Sequence, residues 1–145
     1  MALLASSIYN YGDGVFDRIE LDKKTPGDNL RVGDFLKVDT DGAVEVIDAI
    51  LDDATFVGVC GTLSEDADGP QKILVYTKCI VEVPTASGTY TCGDGLSYST
   101  DAEMVADSDT NTICWVWEAT SGASATSVKA VVDVLSLGKL FDAAG

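Results

Sequence analysis

Cysteines are the most reactive side chains in this sequence, and their spacing is the first guide to its chemistry. Cys60, Cys79, Cys92 and Cys114 form no Cys-x-x-Cys pair, and the chain contains no histidine. This excludes histidine-based triads and histidine zinc sites. Each cysteine lies in or beside an apolar run, so we expect reduced, buried thiols, with a disulfide as the alternative. Only Lys78 adjoins a cysteine, which leaves a thiolate nucleophile without a clear activating group.

Carboxylates are the other candidate group. The stretches 39–42 (DTDG) and 65–69 (EDADG) resemble the start of calcium loops, but neither continues with the remaining ligand spacing. Weak calcium binding is one alternative, and a glycosidase-like acid pair stays open because its spacing is set in three dimensions. We expect a binding or structural protein with no cofactor, no metal and no catalytic residue.

Composition limits the partners. The 145 residues carry 24 acids against nine bases, a formal charge of −15, with 46% apolar residues. This is a globular composition with too few clustered cations for nucleic acid. No apolar run reaches the roughly 20 residues of a membrane span, and the N-terminus lacks a basic signal-peptide region. We therefore expect synthesis in the cytoplasm and no membrane contact.

Apolar residues recur at every second position in short runs, and clusters of Gly, Asp, Asn and Ser interrupt these runs. This pattern predicts an all-β fold. Residues 33–48 read as a hairpin that turns at 39–42. Residues 72–84 read as the longest strand, ended by Pro84. The segment 46–54 (VIDAILDDA) suits either a strand or a helical turn. A closed small β-barrel or β-sandwich is the expected architecture.

Gly-Asp occurs twice, at 33–34 and 93–94, each time before an alternating run. This suggests two similar modules, 31–84 and 85–137, after an N-terminal arm of residues 1–30 and before a short C-terminal tail. Gly58 and Trp115 occupy equivalent positions if the second module is about three residues shorter between its Gly-Asp and this position. The alternative is that the similarity is no greater than that of any two β-hairpins. We interpret the following residues as backbone and turn devices: Gly33, Asp34, Asp41, Gly42, Gly93 and Asp94.

The order of elements carries a resemblance. The chain resembles the capsid cement, or head decoration, proteins of tailed bacteriophages in the order of five segments. These are VGDFLKVDTDGAVEV, the run from ATFVGVCGTL to TKCIVEV, CGDGLSYSTDAEMV, TICWVWEATSG and SVKAVVDV. The similar region is about residues 30–135. The bulky WVW departs from the small residue that is usual in the family's closing segment. The resemblance implies a small β-barrel or β-sandwich, β-tulip-like, on the outer capsid surface of the virion. It also implies a homotrimer that binds the major capsid protein, staples neighbouring subunits and has no enzymatic activity.

Two groups of residues are candidates for these contacts. The N-terminal arm is apolar without a regular period and could add as a strand to a capsid edge; its candidate residues are Leu3, Leu4, Ile8, Tyr9, Tyr11, Val15 and Phe16. Trp115 and Trp117 share a strand face with Ile113 in this interpretation, either as buried core or as an oligomer interface. The alternative functions are a ligand- or carbohydrate-binding β module using Tyr90, Tyr98 and Trp117, or a tail or baseplate component.

Overall fold

The computed structural model describes residues 7–9, 18–24, 29–39, 42–47, 56–65, 69–99, 103–106, 112–120, 122 and 124–134. The regular elements in these ranges are strands, which confirms the all-β fold. They form two sheets, one of them curled into a half-barrel, in keeping with the expected barrel or sandwich.

The first sheet has five strands in the order β2-β6-β5-β3-β4. Its strands, in chain order, are β2 (Arg18–Asp22), β3 (Phe35–Val38), β4 (Val44–Val46), β5 (Phe56–Cys60) and β6 (Lys72–Tyr76). Neighbours in this order are antiparallel. A parallel bridge between Lys23 and Val44 brings the two outer strands together, so the sheet closes on itself.

The second sheet has six strands in the order β1-β7-β11-β10-β8-β9. Its strands are β1 (Ser7–Tyr9), β7 (Lys78–Gly88), β8 (Gly95–Ser99), β9 (Glu103–Ala106), β10 (Cys114–Glu118) and β11 (Ala125–Asp133). It closes through a parallel pairing of Thr85 with Met104. β1 runs antiparallel beside another part of β7, with Ile8 opposite Val81.

The two sheets share one plan, strand for strand. The strands β2 to β6 correspond in order to β7 to β11, and the pairings that join them correspond as well. The closing bridge Lys23–Val44 matches Thr85–Met104, and Cys60 opposite Val75 matches Val116 opposite Ala130. We therefore call β2 to β6 the first module and β7 to β11 the second. The structure thus contains an internal repeat in the order that the Gly-Asp echo indicates.

Both Gly-Asp turns have the same hydrogen bonds. Gly33 and Gly93 have φ values of 103° and 94°, a conformation that suits glycine. The carboxylate of Asp34 accepts a hydrogen bond from the Arg31 N–H, and that of Asp94 accepts one from the Thr91 N–H, both at 2.8 Å. The aspartates therefore tie each turn to its strand. Gly42 is also a turn glycine, with φ 80°, whereas Asp41 lies outside the described residues.

The spacing between equivalent positions differs from the expected one by a residue. Gly33 donates its N–H to the Cys60 carbonyl, and Gly93 donates to the Val116 carbonyl. These bonds make Cys60 and Val116 equivalent, so Trp115 corresponds to Val59 and Gly58 corresponds to Cys114. The second module therefore loses four residues between these positions rather than about three.

Two strand boundaries also differ from the sequence interpretation. Arg18–Asp22, placed in the N-terminal arm, pair with β6 throughout. The long strand of residues 72–84 is two strands, separated at Thr77. Pro84 does not end β7, because it lies opposite Ser127 beside a bulge in β7 itself, where a missing N–H is tolerated. The ambiguous segment 46–54 lies mostly outside the described residues.

The core has two parts. The inner face of the first module forms one cluster, with Leu36, Val57, Ile73 and Val75 fully or almost fully buried. The outer face of that module joins the inner face of the second in a larger cluster; its first-module members are Phe35, Ile47, Phe56 and Val59. The rings of Phe35 and Phe56 stack at 5.6 Å. The first module is thus covered on its outer face by the second.

Candidate functional site

The outer face of the second sheet carries a row of apolar residues on three adjacent strands. Ile80 on β7 lies opposite Val131 on β11, which lies opposite Trp115 on β10. Residues directly opposite one another in antiparallel strands share a face. All three are half-buried, whereas their chain neighbours Cys79, Val132 and Val116 are buried inside. We call these three residues the outer row; of the three, only Trp115 was a candidate from the sequence.

Trp117 extends this apolar surface because of a β-bulge. Val116 pairs with Ala130 but Glu118 pairs with Lys129, so Trp117 is the extra residue. The bulge leaves both Trp117 and Glu118 exposed, where a regular strand would turn Glu118 inward. Trp117 is 51% exposed, which rules out the buried-core interpretation for it. The expected shared face with Ile113 is wrong, because Ile113 precedes the strand and is 1% exposed.

Charged residues flank the outer row on both sides. Lys78 lies opposite Asp133 on one side, and Lys129 lies between Glu82 and Glu118 on the other. The Lys129 ammonium is 3.6 Å from the Glu118 carboxylate. Both flanks therefore mix the two signs of charge. An apolar centre within a polar rim is the usual layout of a protein interface.

The Gly-Asp turns expose apolar side chains at equivalent places. In the first module, Val32 and Leu63 are 52% and 55% exposed. They lie on adjacent segments, because Leu30 and Ser64 form an antiparallel bridge. Their equivalents in the second module are Cys92 and Ala119, which are also exposed. We call these two surfaces the turn ends of the modules.

Of the candidate capsid-contact residues in the predicted N-terminal arm, two lie in the described part of the chain, Ile8 and Tyr9. Ser7–Tyr9 form β1 and pair with residues 80–82 of the same chain, so Ile8 and Tyr9 have main-chain partners within the molecule. The other candidate residues lie outside the described part: Leu3, Leu4, Tyr11, Val15 and Phe16.

The cysteines are free thiols. Cys60, Cys79 and Cys114 are buried, whereas Cys92 is exposed. Burial raises the pKa of Cys60 to about 11 and that of Cys79 to about 12, and it raises the pKa of Cys114 further. Such thiols stay protonated near neutral pH and are poor nucleophiles. The expectation of buried, reduced cysteines is therefore confirmed for three of the four.

A buried lysine is the feature that sequence reasoning missed. Lys23 is 6% exposed, and its ammonium donates to the carbonyl and hydroxyl oxygens of Ser64, both at 3.2 Å. The Ser64 hydroxyl in turn donates to the Pro70 carbonyl. A serine beside a lysine can form a nucleophilic pair, but here the hydroxyl is fully buried and bonded to main chain. The contact instead ties the end of β2 to the loop before β6.

The aromatic residues suggested for carbohydrate binding do not share a surface. Tyr90 is 4% exposed and Tyr98 is 2% exposed, and both belong to the larger core cluster. The Tyr90 hydroxyl bonds to the Ala86 carbonyl at 2.5 Å. Of the three suggested side chains, Trp117 alone is available to a ligand.

Comparison of the chain with protein-family models finds no match, and comparison with the curated proteins finds none either. In the part of the chain that the structure describes, no helix is long and apolar enough to cross a membrane. The same residues include no group of three or more cysteines and carboxylates placed to hold a metal ion. Asp39, in the first of the two calcium-like stretches, instead accepts a hydrogen bond from the Ala43 N–H at 3.0 Å.

Proposed function

We propose that this chain is a structural protein of a tailed-phage virion that binds the outer capsid surface. In this proposal it bridges neighbouring major capsid protein subunits as a homotrimer and so stabilises the shell. The order of elements that resembles the capsid decoration proteins supports it. The observation that carries it furthest is the repeat, because the two turn ends present exposed apolar residues at equivalent positions.

A repeated surface suits a repeated partner. β6 and β7 are separated by Thr77 alone, and the two modules share the larger core cluster, so the two turn ends are held at a fixed spacing. If each turn end contacts one capsid subunit, the second contact is intramolecular once the first has formed. A protein that binds the assembled lattice stabilises it by about 2.7 kcal/mol per site at a hundredfold excess over Kd. The mechanism needs no catalytic group.

Imaging of purified particles tests the location. The particles are those produced from the genome that encodes this chain, imaged by electron cryo-microscopy with and without the gene. Copies distributed over the whole shell support the proposal. A single ring at one vertex identifies a tail component instead, and absence from the particle contradicts both.

A binding assay tests the turn ends. We expect the double variant Val32→Lys with Leu63→Lys to lose at least about tenfold in affinity for preassembled, undecorated shells, because two exposed apolar contacts are replaced. Ser124→Lys with Thr126→Lys also adds two lysines, at exposed positions outside both turn ends, and is the matched control. Equal co-sedimentation of the double variant and the wild type would exclude the first turn end.

The N-terminal arm is a separate candidate for the capsid contact. Deleting residues 1–14 removes β1 together with the flanking apolar residues. Undiminished binding of the truncated protein to shells would exclude the arm. The carbohydrate alternative rests on Trp117 alone, and a glycan array with wild type and Trp117→Ala tests it directly.

A further inference from the structure

β2 ends the strand order of the first sheet, so one of its two edges faces away from β6. The Lys23 N–H donates to the Gln71 carbonyl, which continues the register of β2 with β6. Because main-chain groups alternate between the two edges of a strand, the N–H and C=O groups of Arg18 and Glu20 point to the outer edge. In the described ranges, that edge meets another strand only beyond β2, at the bridge between Lys23 and Val44.

Ile19 of β2 and Val81 of β7 are equivalent residues of the two modules. They lie opposite Val75 and Ala130, which are themselves equivalent. The closing bridges of the two modules lead to the same alignment. The correspondence of β2 with β7 is therefore fixed by two independent contacts.

In the second module, β1 occupies the edge that is open in the first. Residues 7–9 pair antiparallel with residues 80–82, and Ile8 lies opposite Val81. Val81 is fully buried, whereas its equivalent Ile19 is only half-buried. The first module thus has the position for an added strand, and no strand of the described chain fills it.

The inner face of this edge selects apolar side chains. Ile19 and Leu21 pack against the core cluster of the first module, and both are partly buried. Side chains opposite them in an added strand would cover the apolar surface that remains exposed. Polar side chains at those positions would lose water without gaining a partner.

The outer face of the edge selects charge. Glu20 lies beside Leu74 on β6, whereas the equivalent Glu82 lies beside Lys129 on β11. A basic residue opposite Glu20 would supply the cation that β6 lacks at this position. Arg18 is exposed on the same face and favours an acidic residue. From its N-terminus, an antiparallel segment that fits therefore reads apolar, basic, apolar, acidic.

The position of the edge indicates which partner supplies this segment. Lys23 follows β2 directly, and its ammonium bonds to the Ser64 hydroxyl. Ser64 adjoins Leu63, an exposed residue of the first turn end. A strand on the β2 edge therefore starts near the surface that contacts the capsid in the proposed function.

We propose that the outer edge of β2 accepts an extended segment of the capsid protein as an added antiparallel strand. The identity of the partner rests on the proposed function. The contact differs from that of the N-terminal arm, because here this chain supplies the edge and the capsid protein supplies the strand. Main-chain hydrogen bonds to Arg18 and Glu20 give the affinity, and the side chains of Ile19 and Glu20 select the sequence.

Amide hydrogen exchange of the wild-type protein tests whether the edge is open. We expect slow exchange at Ile19 and Leu21, whose N–H groups bond to β6. Exchange at Arg18 and Glu20 should be at least about tenfold faster. Equally slow exchange at all four amides would show that the chain covers this edge itself, and would overturn the proposal.

A short peptide is the probe for strand addition. We expect a blocked peptide with the central sequence Val-Lys-Val-Glu to shift the amide NMR resonances of Arg18 and Glu20. N-methylation of its lysine and glutamate removes the N–H groups that face β2 and should weaken binding by about tenfold or more. N-methylation of its valines removes N–H groups that face away and is the matched control. Equal affinity of the two methylated peptides, or no shift with the unmodified one, contradicts strand addition.

A charge reversal tests the selection of sequence. We expect Glu20→Lys to weaken binding of the Val-Lys-Val-Glu peptide by about fivefold, and a Val-Glu-Val-Glu peptide to restore it. Glu118→Lys makes the same charge change on β10 and should leave both affinities unchanged. The same loss in both variants would attribute the effect to net charge and contradict the assignment of Glu20.

Binding to preassembled, undecorated shells separates this inference from the proposed function. If the capsid proposal fails, the wild type does not bind shells while the peptide still binds the β2 edge, so the edge accepts a strand from another partner. If β2 is not the contact, shells bind the wild type, and neither Glu20→Lys nor an excess of the peptide reduces that binding.

Discussion

Asp34 and Asp94 occupy equivalent positions in the two modules and hold their turns through the same bond. Each carboxylate accepts the N–H of the residue three positions earlier at 2.8 Å, and each main-chain N–H donates back to that residue's carbonyl at 3.0 Å. The two differ in their surroundings. Asp34 is fully buried and its carboxylate is 3.3 Å from the Arg31 guanidinium, whereas Asp94 is half-buried.

This difference predicts unequal effects of the same substitution. We expect Asp34→Ala to lower the free energy of unfolding by about 2–3 kcal/mol, because it removes a fully buried acceptor and leaves the Arg31 N–H, in a part-buried bond, without its partner. Asp94→Ala should cost about 1 kcal/mol, because water can replace the carboxylate at the more open turn. Urea denaturation of both variants measures the difference. Equal costs would show that burial does not decide the contribution of this aspartate.

Gly58 marks a close approach of two strands. Its φ is 146°, and a Cβ atom there would lie 2.4 Å from the Tyr76 carbonyl oxygen. We expect Gly58→Ala to destabilise the protein by about 3 kcal/mol or more, because β5 would have to move away from β6. Gly42→Ala is the control: its φ is 80° and nothing lies within 4 Å of an added Cβ. Thermal unfolding should separate the two variants clearly.

Thr85 has a buried hydroxyl without a hydrogen-bond partner, at 2% exposure. We expect Thr85→Val to raise the free energy of unfolding by about 0.5–1 kcal/mol, because the methyl group has no desolvation penalty. Thr120→Val should have the opposite effect. The Thr120 hydroxyl accepts from the Tyr90 N–H at 3.0 Å and donates to the Tyr90 carbonyl at 3.3 Å. A loss of stability in Thr85→Val would contradict the interpretation.

The buried thiols make stability fall in alkaline solution. Burial raises their pKa values in the folded protein, that of Cys60 to about 11 and that of Cys79 to about 12, from an ordinary thiol value of 9.0. Their contribution is complete below pH 9 and is lost as the pH rises toward these values, because only the unfolded chain ionises in that range. We expect a loss of about 1.4 kcal/mol per thiol per pH unit.

Urea titrations at pH 8 and pH 10 measure this loss, and Cys79→Ala should show a smaller pH dependence than the wild type. Thiol labelling at pH 8 gives an independent check. We expect rapid reaction of Cys92, which is exposed, and slow reaction of the other three until the protein unfolds. Four rapidly reacting thiols in the folded protein would contradict the burial of Cys60, Cys79 and Cys114.

The sequence was informative where local chemistry decides the structure. Alternation of apolar residues predicted the all-β fold, and Gly-Asp predicted the turn at Gly33 and its equivalent at Gly93. It was less informative where long-range pairing decides. The end of β6 at Thr77 depends on a change of sheet. The passage of β7 through Pro84 depends on its pairing with Ser127 of β11, 43 residues away, beside a bulge in β7.

The candidate surface was found only in part for the same reason. Trp115 and Trp117 are conspicuous in a sequence, but Ile80 and Val131 are ordinary strand residues until the register places them beside Trp115. The outward position of Trp117 follows from a bulge that no local signal marked. Lys23 was equally invisible, because its partner Ser64 is 41 residues away.

The single residue between β6 and β7 has a mechanical consequence. Thr77 is fully buried, and its carbonyl accepts the N–H of Val134, which follows β11 and lies beside the start of β7. A pull on either module is therefore carried into the other along the main chain, with the β7–β11 ladder loaded in shear along its length. Under tension, we therefore expect the two modules to unfold in one step and not one after the other.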